Sequence, residues 1–165
     1  MSITQNRRLV AWVRKAVAWP NRHPSWRPFS DWLMRRLAHV AMRKAGARPA
    51  DNLEELHEQW ERSAPALASY KLVKIEKDTA YAEIHSECAL RGTGDVGACY
   101  RMMEYDREVM RRIGGELVIL ESQASPGRTF CKVAMRRRGA SMAKFTPAHL
   151  KAAGTSEKAP ATDAS

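Results

Sequence analysis

The sequence predicts an α+β domain: N-terminal helices followed by a β-β-α-β-β core whose four strands make one antiparallel sheet with helices on one face. Three observations carry this. Helical apolar periodicity runs through the first sixty or so residues. Two pairs of alternating apolar–polar segments, each joined by turn residues, follow. Between the pairs lies one strongly amphipathic stretch, 96–113, closed by Gly114 and Gly115.

The elements read in order as follows. Residues 5–19 form a short helix in which Leu9, Val10, Trp12, Val13, Ala16 and Val17 lie among Arg and Lys. Pro20, Pro24 and Pro28 then interrupt the chain. A second helix spans 29–44, with Ser30 as its cap, Trp32, Leu33, Leu37, Val40 and Ala41 as its apolar stripe, and Gly46 as its end. A third, acidic at its start, spans 51–63, with Leu53, Leu56 and Trp60 facing inward. Segments 70–77 and 79–88 alternate around a Lys77-Asp78 turn. Segments 116–123 and 129–137 are the last two strands, joined through Ala124-Ser125-Pro126-Gly127. From about residue 139 to 165, Ala, Ser, Thr, Lys and Pro dominate, the composition of a disordered tail.

Length and composition bound the answer. A chain of 165 residues suits one domain, and 44% hydrophobic content suffices for a core. Mean hydropathy is −0.50 and no run approaches ~18 apolar residues, so no membrane span is expected. With no apolar leader at the N-terminus, a reducing cytoplasm is the expected setting, in which three cysteines read as thiols or ligands before disulfides. The net charge of +10 is uneven: residues 1–46 hold ten Lys/Arg against Asp31 alone. The chain thus divides into a basic Trp/Arg-rich region (1–46), an α+β unit (47–138) and the tail (139–165).

The helix at 96–113 carries a carboxylate among apolar residues. On a wheel of ~100° per residue, Cys99, Met102, Met103, Val109, Met110 and Ile113 share one arc. Arg101, Glu104, Arg107, Glu108, Arg111 and Arg112 fill the other, but Asp106 sits near the centre of the apolar arc. An unpaired buried carboxylate costs several kcal/mol, so Asp106 is expected either to pair internally or to serve a site with a raised pKa.

Strand alternation turns Cys88 and Cys131 inward, and the helix wheel turns Cys99 inward, so all three thiols can face one space between sheet and helix. Each alone is more often a small buried hydrophobe than a reactive group, most strongly so for Cys131 in mid-strand. Cys99 lies in the first turn of its helix, where the dipole favours a thiolate, and Cys88 and Cys99 flank a glycine loop. A zinc site built from these cysteines and His85 is disfavoured: His85 and Cys88 face opposite ways on a strand, and no Cys-x-x-Cys pair exists. Gly92-Thr93-Gly94 lacks the lysine of a phosphate loop.

The order Glu87-Cys88, Cys99, Asp106, Gly114-Gly115, Gly127, Cys131 resembles the L-2-amino-thiazoline-4-carboxylic acid hydrolase-like family. The same run is similar to vinyl-reductase-type small-molecule-binding domains, which share the β-β-α-β-β core. Ala89 stands where the hydrolase pattern has proline. The hydrolase resemblance implies cofactor-free hydrolysis of a C–N bond in a small cyclic amidine, with Cys88 or Cys99 favoured over Cys131 as nucleophile and Asp106 orienting or protonating the departing nitrogen. Cys131, Met103, Tyr105 and Glu87 would line the ligand, and no metal is implied. The vinyl-reductase-type resemblance implies a non-enzymatic binding or metal-binding accessory protein.

The basic region points to a protein partner or, through Trp12, Trp19, Trp26 and Trp32 set among cations, to an anionic membrane surface. No DNA-binding motif of known spacing is present, so a specific nucleic-acid partner is not expected. The sequence leaves self-association open.

Overall fold

A computed structural model describes residues 3–65, 68–86 and 88–156. The fold is α+β: helices packed with one four-stranded antiparallel sheet.

Two long helices open the chain, α1 (Ile3–Arg22) and α2 (Arg27–Ala45), joined by a single 3-10 turn at Pro24–Trp26. The expected break at Pro20 is corrected: Pro20 lies inside the last turn of α1. The buried Asn21 donates its side-chain amide to Val17 O at 2.9 Å, which satisfies a carbonyl beside the proline. Ser30 is not a cap. Pro28 fits the first turn of α2 and moves its start to Arg27, so Ser30 is buried inside the helix and donates to Arg27 O at 3.1 Å. Gly46, at φ 61°, closes α2 in the left-handed conformation that a glycine adopts without strain. α3 (Leu53–Arg62) starts two residues later than Asp51, because Asn52 Oδ1 accepts from Glu55 N at 2.8 Å and caps it.

The strands are β1 (Tyr70–Glu76), β2 (Thr79–Ile84), β3 (Gly115–Glu121) and β4 (Cys131–Arg137), in the spatial order β1-β2-β4-β3. β2 stops at Ile84, four residues short of the expected end, so Cys88 belongs to the following loop. Tyr70 pairs with Ile84, and Ile84 with Cys131, giving one row across three strands on a single face of the sheet. Ala82, Val133 and Ile119 form the next row on that face, and Ala80, Met135 and Leu117 the one after. These rows meet Leu56, Trp60, Val109, Met110 and Ile113 in the core.

The helix expected over 96–113 is two helices, α4 (Val96–Met102) and α5 (Glu104–Arg112), with Met103 (φ −69°, ψ 3°) between them. Backbone bonds run across the break, Met103 N to Cys99 O at 2.9 Å and Arg107 N to Met103 O at 3.0 Å, so the chain bends without unravelling. Each half follows different neighbours: α4 packs on α1 and α6, α5 on α2 and β3. α5 is therefore covered on both sides. Glu104 and Glu108, placed by the wheel on a solvent arc, are buried beneath α2. There Glu104 accepts from Arg35 Nε at 2.8 Å, and Glu108 Oε1 lies 3.0 Å from His39 Nε2. Arg111 Nη2 bridges the two glutamates at 2.6 and 2.8 Å.

The expected disorder from residue 139 is corrected for 139–156. The stretch folds back over the body and forms α6 (Ala148–Ser156) against α4 and β3. Among its anchors, Ala148 is buried, the His149 ring lies 3.8 Å from the Tyr100 ring, and Phe145 meets Tyr81 edge-on at 6.4 Å. Average polarity reads such a segment as a tail, while the contacts rest on scattered single residues, Ser141, Lys144 and Ala152 among them. Residues 157–165 lie outside the described residues.

Candidate functional site

A cavity of about 670 Å³ lies where α1 and α2 cover the end of the sheet that starts β1 and β4. Its walls are mostly aliphatic, from Val13, Val17, Met34, Leu37, Val40, Ala41, Ala68 and Ile84. Of the residues singled out from sequence, Cys88, Cys99, Met103, Tyr105, Asp106 and Cys131 all line it. Glu87 lies outside the described residues. None of the three cysteines is in a disulfide.

The topology explains the convergence. Cys131 is the first residue of β4, at the strand's mouth instead of mid-strand, and shares its cross-strand row with Tyr70. Cys99 and Asp106 come from α4 and α5 on either side of the Met103 bend. Cys88 reaches the cavity from the loop after β2, half-buried, with Leu90 N donating to its sulfur at 3.4 Å.

Cys99 and Cys131 face each other across the cavity and are electrostatically coupled, which pushes their acidities in opposite directions. The Cys99 thiol is the main cause that lowers the Cys131 pKa to about 7. Burial opposes this, and two donors from Gln123, its backbone N at 3.3 Å and its side-chain amide at 3.7 Å, support it. Cys99 moves well above the ordinary thiol range, because of its coupling to Cys131 and because it is buried. Cys131, at the start of β4, lies within reach of the Gln123 donors that favour its thiolate, while Cys99 on α4 is kept as a thiol by burial and by its neighbour.

Asp106 is paired, but by neutral donors. Its Oδ1 accepts from Tyr70 Oη at 2.8 Å and from Trp60 Nε1 at 2.9 Å. Burial nevertheless keeps its pKa above the usual carboxylate range, with these two bonds working against the rise. The Trp60 and Tyr70 rings lie together at 4.1 Å, so both donors are held by packing. Tyr105, expected at the edge of the apolar arc, is buried, and its hydroxyl donates to Ser63 O. Burial raises its pKa as well, followed by the Asp106 charge.

Tyr70, Trp60 and Gln123 were not among the sequence-derived candidates. Tyr70 was legible as the inward residue opening a strand; the part played by Gln123 depends on the turn after β3, which periodicity does not describe. Among the described residues no cluster of three or more His, Cys, Asp or Glu is disposed to hold a metal ion. Among them, too, no helix is long and apolar enough to cross a membrane. No protein-family model, curated protein or solved structure matches this chain.

Proposed function

We propose that the chain binds a largely apolar small molecule in this cavity, with the Cys99–Cys131 pair as the polar anchor on its floor. The observation that carries this is the cavity itself. Its volume of about 670 Å³ is that of a small-molecule site, and aliphatic walls converge on a few placed polar groups. No histidine lines it, and Asp106, its buried carboxylate, is held by Tyr70 and Trp60 through Oδ1, in the manner of a group fixed in the wall. This favours binding, as the vinyl-reductase-type resemblance implies, over turnover. A reducing cytoplasm suits the reading, since it keeps the pair as thiol and thiolate.

The lowered pKa of Cys131 favours a second reading, hydrolysis of a C–N bond in a cyclic amidine. Cys131 thiolate would add to the ring carbon and the C–N bond would break with the nitrogen taking the Asp106 proton; water oxygen would then bond that carbon, its proton returning to the Asp106 carboxylate as the C–S bond breaks and Cys131 leaves as thiolate.

One experiment separates the readings. The native chain is titrated with an environment-sensitive apolar dye, beside Ala41→Trp, which fills the cavity from α2, and Cys131→Ser. Saturable binding lost in Ala41→Trp and weakened, without being lost, in Cys131→Ser supports binding anchored by the cysteine pair. Absence of saturable binding in the native chain sinks it. Mass spectrometry of a covalent adduct on Cys131 with a cyclic amidine would move the conclusion to the hydrolase.

A further inference from the structure

An aromatic surface lies on the two helices, α1 and α2, that also line the cavity. Trp12 of α1 is 69% exposed and Trp19 53%, seven residues apart on one face with the exposed Lys15 between them. From Trp19 an aromatic ladder continues over the turn into α2: Trp19 to Trp26 at 5.4 Å, Trp26 to Phe29 at 5.8 Å, Phe29 to Trp32 at 5.9 Å. All four rings are solvent-exposed. Beyond the ladder on α2, Leu37 and Val40 are exposed and line the cavity, so they mark its mouth. Val40 also borders a second recess, of about 460 Å³, lined by Arg36, His39, Arg43 and Arg112. Lys15, Arg36, Arg43 and Lys44 are exposed and ion-pair with no carboxylate among the described residues.

Four contiguous aromatic rings exposed to water mark an interaction surface. Its chemistry has three parts: amphipathic rings, aliphatic residues around an apolar mouth, and uncommitted cations beside them. Trp rings partition to the headgroup level of a bilayer, aliphatic side chains to the acyl boundary, and Lys and Arg to lipid phosphates. A basic nucleic-acid groove would need the rings open for base stacking, whereas here they are packed largely edge to face on one another.

We propose that the α1–α2 face docks on the surface of an anionic phospholipid bilayer, which sets the cavity mouth against the membrane. Lipid phosphates pair with Arg36 and Arg43, and the ladder from Trp19 to Trp32 seats at headgroup depth. The docking does not depend on what the cavity holds.

The test is flotation of the full chain with vesicles of phosphatidylcholine alone or mixed with phosphatidylglycerol, with tryptophan emission recorded in parallel. The expected result is binding to the mixed vesicles, a blue-shifted emission, and loss of binding as salt rises. Arg36→Gln/Arg43→Gln should bind about thirty-fold more weakly, Trp19→Ala/Trp32→Ala should lose the blue shift, and Cys131→Ser should bind as the native chain does. The two arginines are exposed, so the charge variant is expected to fold, checked by circular dichroism. No flotation with anionic vesicles overturns the proposal. So does a salt-resistant dimer that shields the ladder, or binding to single-stranded RNA with none to vesicles.

Discussion

Cys99 and Cys131 are coupled across the cavity, and that coupling is the largest influence driving their acidities apart, Cys131 down to about 7 and Cys99 up. Cys99→Ala should therefore raise the pKa of Cys131 toward the ordinary thiol value of 9.0. Ultraviolet thiolate absorbance against pH, compared with Cys131→Ser, reads this directly. An unchanged titration in Cys99→Ala would mean that the Gln123 donors alone hold the thiolate.

The same pair sets a pH dependence of stability. A folded-state pKa below the unfolded one adds stability that is fully present above the unfolded pKa and is lost as pH falls through the folded one. For Cys131 the window runs from 9.0 down to about 7, so stability should rise across it. Cys99 is shifted the other way: its contribution is complete below 9.0 and fades as pH rises toward its raised value. Denaturant midpoints should climb from neutral pH to about 9.0 and then fall, and Cys131→Ser should abolish the climb.

Asp106 gives a test by contrast between two substitutions. Asn keeps an oxygen for Tyr70 and Trp60 and removes a buried charge, so Asp106→Asn should change stability by no more than about 1 kcal/mol. Asp106→Ala orphans two buried donors and should cost about 2 kcal/mol or more. Urea unfolding of both variants decides; equal losses would show that the charge, not the accepting oxygen, is what the fold requires.

How much of this was legible in the sequence can be argued from α5. Its apolar arc placed Asp106 among Val109 and Met110, where it is. The wheel failed for Glu104 and Glu108 because it assumes a helix with one buried face. Here α2 supplies Arg35 and His39 to the other face, a complementarity between segments some seventy residues apart. The inward placing of Cys99 and Cys131 followed from helix and strand periods, whereas Cys88 reaches the cavity from a loop that strand alternation does not describe. The split in acidity between Cys99 and Cys131 did not follow from them, since it turns on a strand starting at Cys131 and on the Gln123 turn.

Those glutamates carry a prediction of their own. The guanidinium of Arg111 and its neighbours hold Glu108 down to about 2 against burial, from an ordinary 4.5. Its contribution is present above 4.5 and lost as pH falls toward 2. Glu108→Gln should be less stable at neutral pH and show a flatter acid profile, measured by thermal unfolding across that range.

The C-terminal stretch is also testable. Deleting residues 139–165 should lower the urea midpoint, because it uncovers the Tyr100 ring, stacked between Arg107 at 4.1 Å and His149 at 3.8 Å, and strips Arg136 of Ser141 O. A midpoint equal to that of the full chain would mean the segment adds nothing.

The row of Tyr70, Ile84 and Cys131 has a consequence for how this sheet can change. Its irregularities fall in the edge pairings, between Leu72 and Lys74 and between Ile119 and Glu121, while the β2–β4 ladder runs uninterrupted. A single-residue slip in that ladder would turn the Cys131 sulfur to the opposite side and separate it from Cys99. The inner strands thus act as a ruler, and the outer ones as the tolerance in the measurement. Insertions and deletions should accumulate in β1 and β3, and spare the pair that counts out the distance to the thiol.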